Sequence, residues 1–68
     1  MNKQLLRSIM ALHDETYRDL AVLLGISEQS VSAKMNENGS EFKQGEISAI
    51  TSHYNLTPVQ VMDIFFAQ

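Results

Sequence analysis

The stretch Tyr17–Asn36, YRDLAVLLGISEQSVSAKMN, constrains the geometry of this chain more than any other part of it. Two helices that cross steeply through a turn of about three or four residues need a small side chain where they touch, and Ala21 supplies it. The turn also needs a residue that tolerates positive φ, and Gly25 does so without a Cβ penalty. Ile26 and Val31 then fill the angle between the two helices from the far side. A bare A-x-x-x-G would be weak evidence, but here the capping residues and the apolar spacing agree with it.

The flanking segments read as further helices. From Asn2 to about Leu12, the residues Leu5, Leu6, Ile9 and Leu12 recur at helical spacing with Met10 beside them, and Lys3, Arg7 and Ser8 fall opposite. His13-Asp14-Glu15 interrupts the pattern as a loop. Thr16 opens the second helix with Asp19 three residues on, a T-x-x-D box in which the hydroxyl accepts the Asp19 amide and the carboxylate reaches back. Tyr17, Leu20, Ala21, Leu23 and Leu24 supply its buried face. Ser27 caps a third helix from Glu28 to about Asn36, with Val31 and Met35 as core contacts, and Asn38-Gly39-Ser40 closes it. A fourth helix is expected from about Gln44 to His53, with Ile47 and Ile50 inward and Ala49 near them, and Asn55 is suited to the left-handed position after it. Thr57-Pro58 opens a fifth, with Thr as N-cap and Pro where its missing N–H costs nothing. Val59, Met62 and Phe66, with Val61 and Phe65 beside them, give that helix two apolar faces. The expectation is an all-α, five-helix single domain over residues 1–68.

Composition narrows the function. A chain of 68 residues buries only about 60% of its unfolded surface, so its core must be economical. The absence of Cys excludes disulfides and thiolate metal sites. His13 and His53 lack an HxxxH or HxxE partner pattern and read as ordinary surface or boundary residues. His13, Asp14 and Glu15 are adjacent, which is wrong for a convergent catalytic site, and there is no Gly-rich phosphate loop. An enzyme is therefore not expected, nor is a cofactor, metal or small-molecule ligand. No apolar run approaches the roughly 20 residues of a membrane span, and Met1-Asn2-Lys3-Gln4 running into Arg7 and His13 makes a poor signal peptide. A cytoplasmic location is the expectation.

Residues 16–36 resemble the helix-turn-helix of the lambda-repressor-like group, which includes phage repressors, Cro proteins and many small bacterial regulators. The resemblance extends along nearly the whole chain: Leu5, Leu6 and Ile9 match the first helix, Phe42, Glu46, Ile47 and Ile50 the fourth, and Asn55-Leu56-Thr57-Pro58 the entry to the fifth. It implies sequence-specific, Cro-like binding of a palindromic double-stranded DNA operator by a homodimer. The group's base-reading positions fall on Ser27, Glu28, Gln29, Ser32 and Ala33. Gln29 has the groups for a bidentate pair with adenine, Glu28 for accepting from cytosine N4, and Ala33 for packing on a thymine methyl. Ser27 and Ser32 suit a base or a phosphate. Thr16, Tyr17 and Arg18 occupy the backbone-facing start of the second helix. Lys34, Asn36, Asn38 and Lys43, with Gly39, are further phosphate-contact candidates. Plainer readings stand beside these: Gln29 as a solvated residue, Glu28 as an acid complementing the helix dipole, and Lys34 as a surface charge.

Charge departs from that pattern. Five basic and eight acidic residues give −3 overall, and between Thr16 and Asn38 two cations, Arg18 and Lys34, face Asp19, Glu28 and Glu37 for a local −1. Few cations mean weak or salt-sensitive DNA binding. The balance keeps open a second reading, a protein-interaction module that has the fold without the DNA function. The apolar run Ile64-Phe65-Phe66 is richer than one helix face buries, and Met62, Phe65 and Phe66 are the expected dimer contact.

Overall fold

The computed structural model describes residues 1–37 and 39–66. Its elements are α1 (Lys3–Leu12), α2 (Tyr17–Leu24), α3 (Glu28–Met35), α4 (Gln44–Tyr54) and α5 (Pro58–Val61), which widens into a π-helical turn at Met62–Phe66. No strand occurs among the described residues, and none of their helices is long and apolar enough to cross a membrane.

Each helix starts where a side chain satisfies an orphan backbone amide. Asn2 accepts from the Leu5 amide at 3.1 Å, Ser27 from the Ser30 amide at 3.0 Å and Thr57 from the Gln60 amide at 3.2 Å. At α2 the expected capping box of Thr16 and Asp19 is present: the Asp19 carboxylate accepts from the Thr16 amide at 2.8 Å, and the Thr16 hydroxyl lies 3.2 Å from the same carboxylate. The two expected left-handed closures are present: Gly25 has φ 68° and Asn55 φ 53°. A Cβ on Gly25 would meet no atom within 4 Å, so its backbone angle, not crowding, calls for glycine.

The core gathers one stripe from each helix. Leu6, Leu20, Val31, Met35, Ile50 and Ile64 are fully buried, with Ala21 almost so at the α2–α3 crossing. Each large apolar side chain removed from water contributes about 1.5–3 kcal/mol before ordering costs. The Asn2 amide donates to the Ile64 carbonyl at 2.7 Å, tying the start of α1 to the C-terminal turn.

Leu12 corrects the reading of α1. Expected on its apolar face, it is 86% exposed. Successive residues turn by about 100°, so the arc through Ile9, Leu6 and Met10 is the buried one. Leu5 lies at its edge and Leu12 just beyond it. The C-terminal segment also differs from the simple two-faced helix: Ile64 is fully buried, Phe65 packs edge-on against Phe42 at 5.9 Å, and Val59, Met62 and Phe66 remain outside.

Candidate nucleic-acid interface

α2 and α3 pack closely on each other, with Ala21 and Val31 both buried, and one side of α3 is left open. Glu28 and Gln29 are exposed there in its first turn, and Ser32 and Ala33 are half-buried one turn on. These four sit on one helix around the Gln29–Ser32–Ala33 stripe, which the i, i+3, i+4 spacing brings together. Ser27, also exposed, has its hydroxyl occupied: it accepts from the Ser30 amide and donates to Ser30 Oγ, each at 3.0 Å. Either hydroxyl of that pair can supply the proton, so Ser27 keeps capacity toward a base or a phosphate.

The start of α2 lies alongside. Thr16 and Arg18 are exposed, and Tyr17 is half-buried with its hydroxyl accepting from Arg7 Nε at 3.0 Å. Arg18 Nε lies 3.8 Å from Glu28 Oε1, a long contact between two exposed side chains. Such a pair contributes between about 0 and 1 kcal/mol and leaves both groups able to turn to a ligand. Lys43 is exposed ahead of α4 and forms no ion pair among the described residues. Asn38 lies outside the described residues.

Lys34 requires a correction. Expected at a phosphate or as a surface charge, it is only 7% exposed. It sits three residues after Val31 and so shares the inward face of α3. Its stem runs through the apolar wall, and its ammonium donates to Glu46 Oε1 at 3.0 Å and to the Glu41 carbonyl at 3.2 Å. Glu46 also accepts from the Lys43 amide at 2.8 Å. Burial opposes ionisation of Glu46, but the Lys43 amide and the Lys34 ammonium outweigh it and hold the carboxyl below its ordinary value. Lys34 is thus a strut between α3 and α4, which fixes the third helix.

A second clasp holds the α1–α2 loop. Tyr54 Oη donates to Glu15 Oε1 at 2.7 Å, and His53 Nε2 lies 2.9 Å from the same oxygen. The Tyr54 and His53 hydrogen bonds lower the Glu15 pKa, while burial and then the Glu15 contact push the Tyr54 phenol up. His13 meets the Tyr54 ring edge-on at 5.1 Å. Glu15 immediately precedes the Thr16 cap, so this clasp positions the N-terminus of α2.

Two residues of α1 reach the same neighbourhood and were read only as its polar face. Lys3 Nζ donates to Asn36 Oδ1 at 3.1 Å. Asn36 Nδ2 in turn donates to the Ser32 carbonyl at 2.9 Å and lies 3.4 Å from Ser32 Oγ. The Arg7 guanidinium lies over the Tyr17 ring, 5.8 Å from its centroid. The i, i+4 spacing of Lys3 and Arg7 was the available signal, since it places two cations on one face of a helix.

Two helices crossing through Ala21 and Gly25, with a capped second helix and an open polar face on the third, define a helix-turn-helix domain. The family model described as a Cro/C1-type HTH DNA-binding domain matches residues 5–66, and the chain belongs to that family. Neither a curated protein nor a solved structure matches it.

Proposed function

We propose that this protein is a transcriptional regulator, of the Cro-like type found in phages and small bacterial repressors, that binds a palindromic operator as a homodimer in the cytoplasm. Residues 1–68 act as one domain in this reading. α3 enters the major groove with Gln29 at an adenine, Glu28 at a cytosine, Ala33 at a thymine methyl and Ser32 at a base or phosphate. Ser27 serves a base or a phosphate in the same way. Thr16, Tyr17, Arg18, Asn36, Asn38 and Lys43 line the flanking backbone. The observation that carries the reading is the open face of α3, with Glu28 and Gln29 exposed beside the capped start of α2.

Membership of the family supports DNA binding; the dimer rests on different grounds. One recognition helix reads few base pairs, and two copies on a two-fold operator are the arrangement by which helix-turn-helix proteins extend that reading. Met62 and Phe66 are 58% and 57% exposed and border an open groove of about 940 Å³, with Ile47, Leu56 and Val61 among its lining. A second copy covering this groove would bury both. Phe65 supports the interface from beneath, through Phe42.

Selection of bound sequences from a random duplex pool tests the proposal. The expected product is a two-fold symmetric site with half-sites about 34 Å apart, one helical turn. Recovery of asymmetric single half-sites would overturn the dimer, and no enrichment would overturn the operator. The same apolar groove and the net charge of −3 favour the second reading, an interaction module, which predicts no enrichment.

A further inference from the structure

The five cations of this acidic chain are not equivalent. Lys34 is buried against Glu46, and Arg18 has Glu28 within 3.8 Å. Lys3 and Arg7, like Lys43, differ: among the described residues, none has a carboxylate within ion-pair distance, and of the three only Lys3 and Arg7 lie on one face of α1. Their partners are neutral. Lys3 meets the Asn36 amide oxygen, and Arg7 meets the Tyr17 hydroxyl and ring face. These partners stand at the two ends of the helix-turn-helix, Tyr17 as the first residue of α2 and Asn36 as the C-cap of α3. Several of the chain's carboxylates have partners of their own: Glu15 has Tyr54 and His53, Asp19 has Thr16, and Glu46 has Lys34.

We infer that Lys3 and Arg7 form a phosphate-binding ridge on α1 that flanks the recognition helix, held in place by Asn36 and Tyr17. The ridge rests on the DNA-binding reading and deepens it, because it supplies cations that the segment from Thr16 to Asn38 lacks. A guanidinium resting on a ring and a neutral hydroxyl keeps N–H donors for a phosphate, and an ammonium with an amide oxygen as partner keeps two. Neither residue reads bases. Asn36 links Lys3 to Ser32, so an α1 cation is joined by hydrogen bonds to the exposed face of α3. Tyr17 and Asn36 are positioning residues here.

The test measures binding of a fluorescent random-sequence duplex, and of a duplex obtained by selection, across a salt series. The proteins are the unaltered chain and the double variant Lys3→Gln/Arg7→Gln. Each phosphate contact contributes about 0.9 to the slope of log affinity against log salt, so the double variant should flatten it by about 1.8. Over a fourfold rise in salt the unaltered protein then loses about twelvefold more affinity than the variant. The loss at low salt should be equal on the two duplexes. Circular dichroism of the double variant establishes that it is folded. A folded double variant with an unchanged slope overturns the ridge and leaves the α3 reading intact. A loss confined to the selected duplex also overturns it, since that is base reading. Failure of the unaltered chain to bind either duplex overturns both readings.

Discussion

α2 and α3 close their apolar surface against each other and the core, burying Leu20, Ala21, Val31 and Met35. Apart from Val22, what they leave fully outside is mostly polar: Arg18, Glu28 and Gln29 among others. The C-terminal turn behaves differently. It buries Ile64 yet leaves Met62 and Phe66 more than half exposed beside an open groove. A polar, hydrogen-bonding surface and an apolar one suit different partners. The first fits a grooved polyanion, and the second fits another apolar surface, which in the proposed assembly is its own copy.

The largest effect belongs to the packed side. Leu20→Ala should cost about 2–5 kcal/mol by urea denaturation, a large share of the stability a domain of this size has. Leu12→Ala, at an exposed site on α1, should stay within about 0.5 kcal/mol. Equal costs would show that the packing of α1 and α2 is misassigned.

The open side should divide two neighbouring rings. Phe65→Glu places a charge against Phe42 and should destabilise the fold by about 1–3 kcal/mol. Phe66→Glu should leave a folded, helical monomer and abolish cooperative operator binding. If both variants fold equally well, Phe65 does not support the core. If Phe66→Glu still binds cooperatively, the dimer contact is elsewhere.

On the polar face, Gln29→Ala should cost about 1–3 kcal/mol at one base pair and relax the preference there. Equal losses on operator and random DNA would contradict base reading.

The smallest effect is at the clasp before α2. The Glu15 carboxyl titrates below its ordinary value, so the stability it contributes is present above the unfolded pKa of about 4.3 and is lost as pH falls through the folded value. Glu15→Gln should therefore differ from the unaltered protein near neutral pH and converge on it in acid. Thermal melts across that range check this; a difference that persists in acid would make the contact non-ionic.

Much of this fold was legible because its signals are local. Gly25 and Asn55 announce positive φ, Thr57-Pro58 announces a helix start, and Val31 and Met35 lie one turn apart on the buried face. What was not legible depends on contacts between segments distant in sequence. Lys34 looks like any helix-surface lysine until Glu46 arrives 12 residues later. Lys3 acquires its place only from Asn36, 33 residues away, and Phe65 its half-buried one from Phe42. Leu12 was misread for another reason: helical spacing alone does not say which of two overlapping apolar arcs faces inward.

Backbone chemical-shift mapping with duplex DNA shows which face of the molecule meets the nucleic acid. Resonances of Glu28, Gln29, Ser32 and Ala33 should move, together with those of Thr16, Tyr17 and Arg18 at the start of α2. Movement confined to the C-terminal turn around Met62 and Phe66, with α3 silent, would contradict DNA binding by α3 and favour the interaction module.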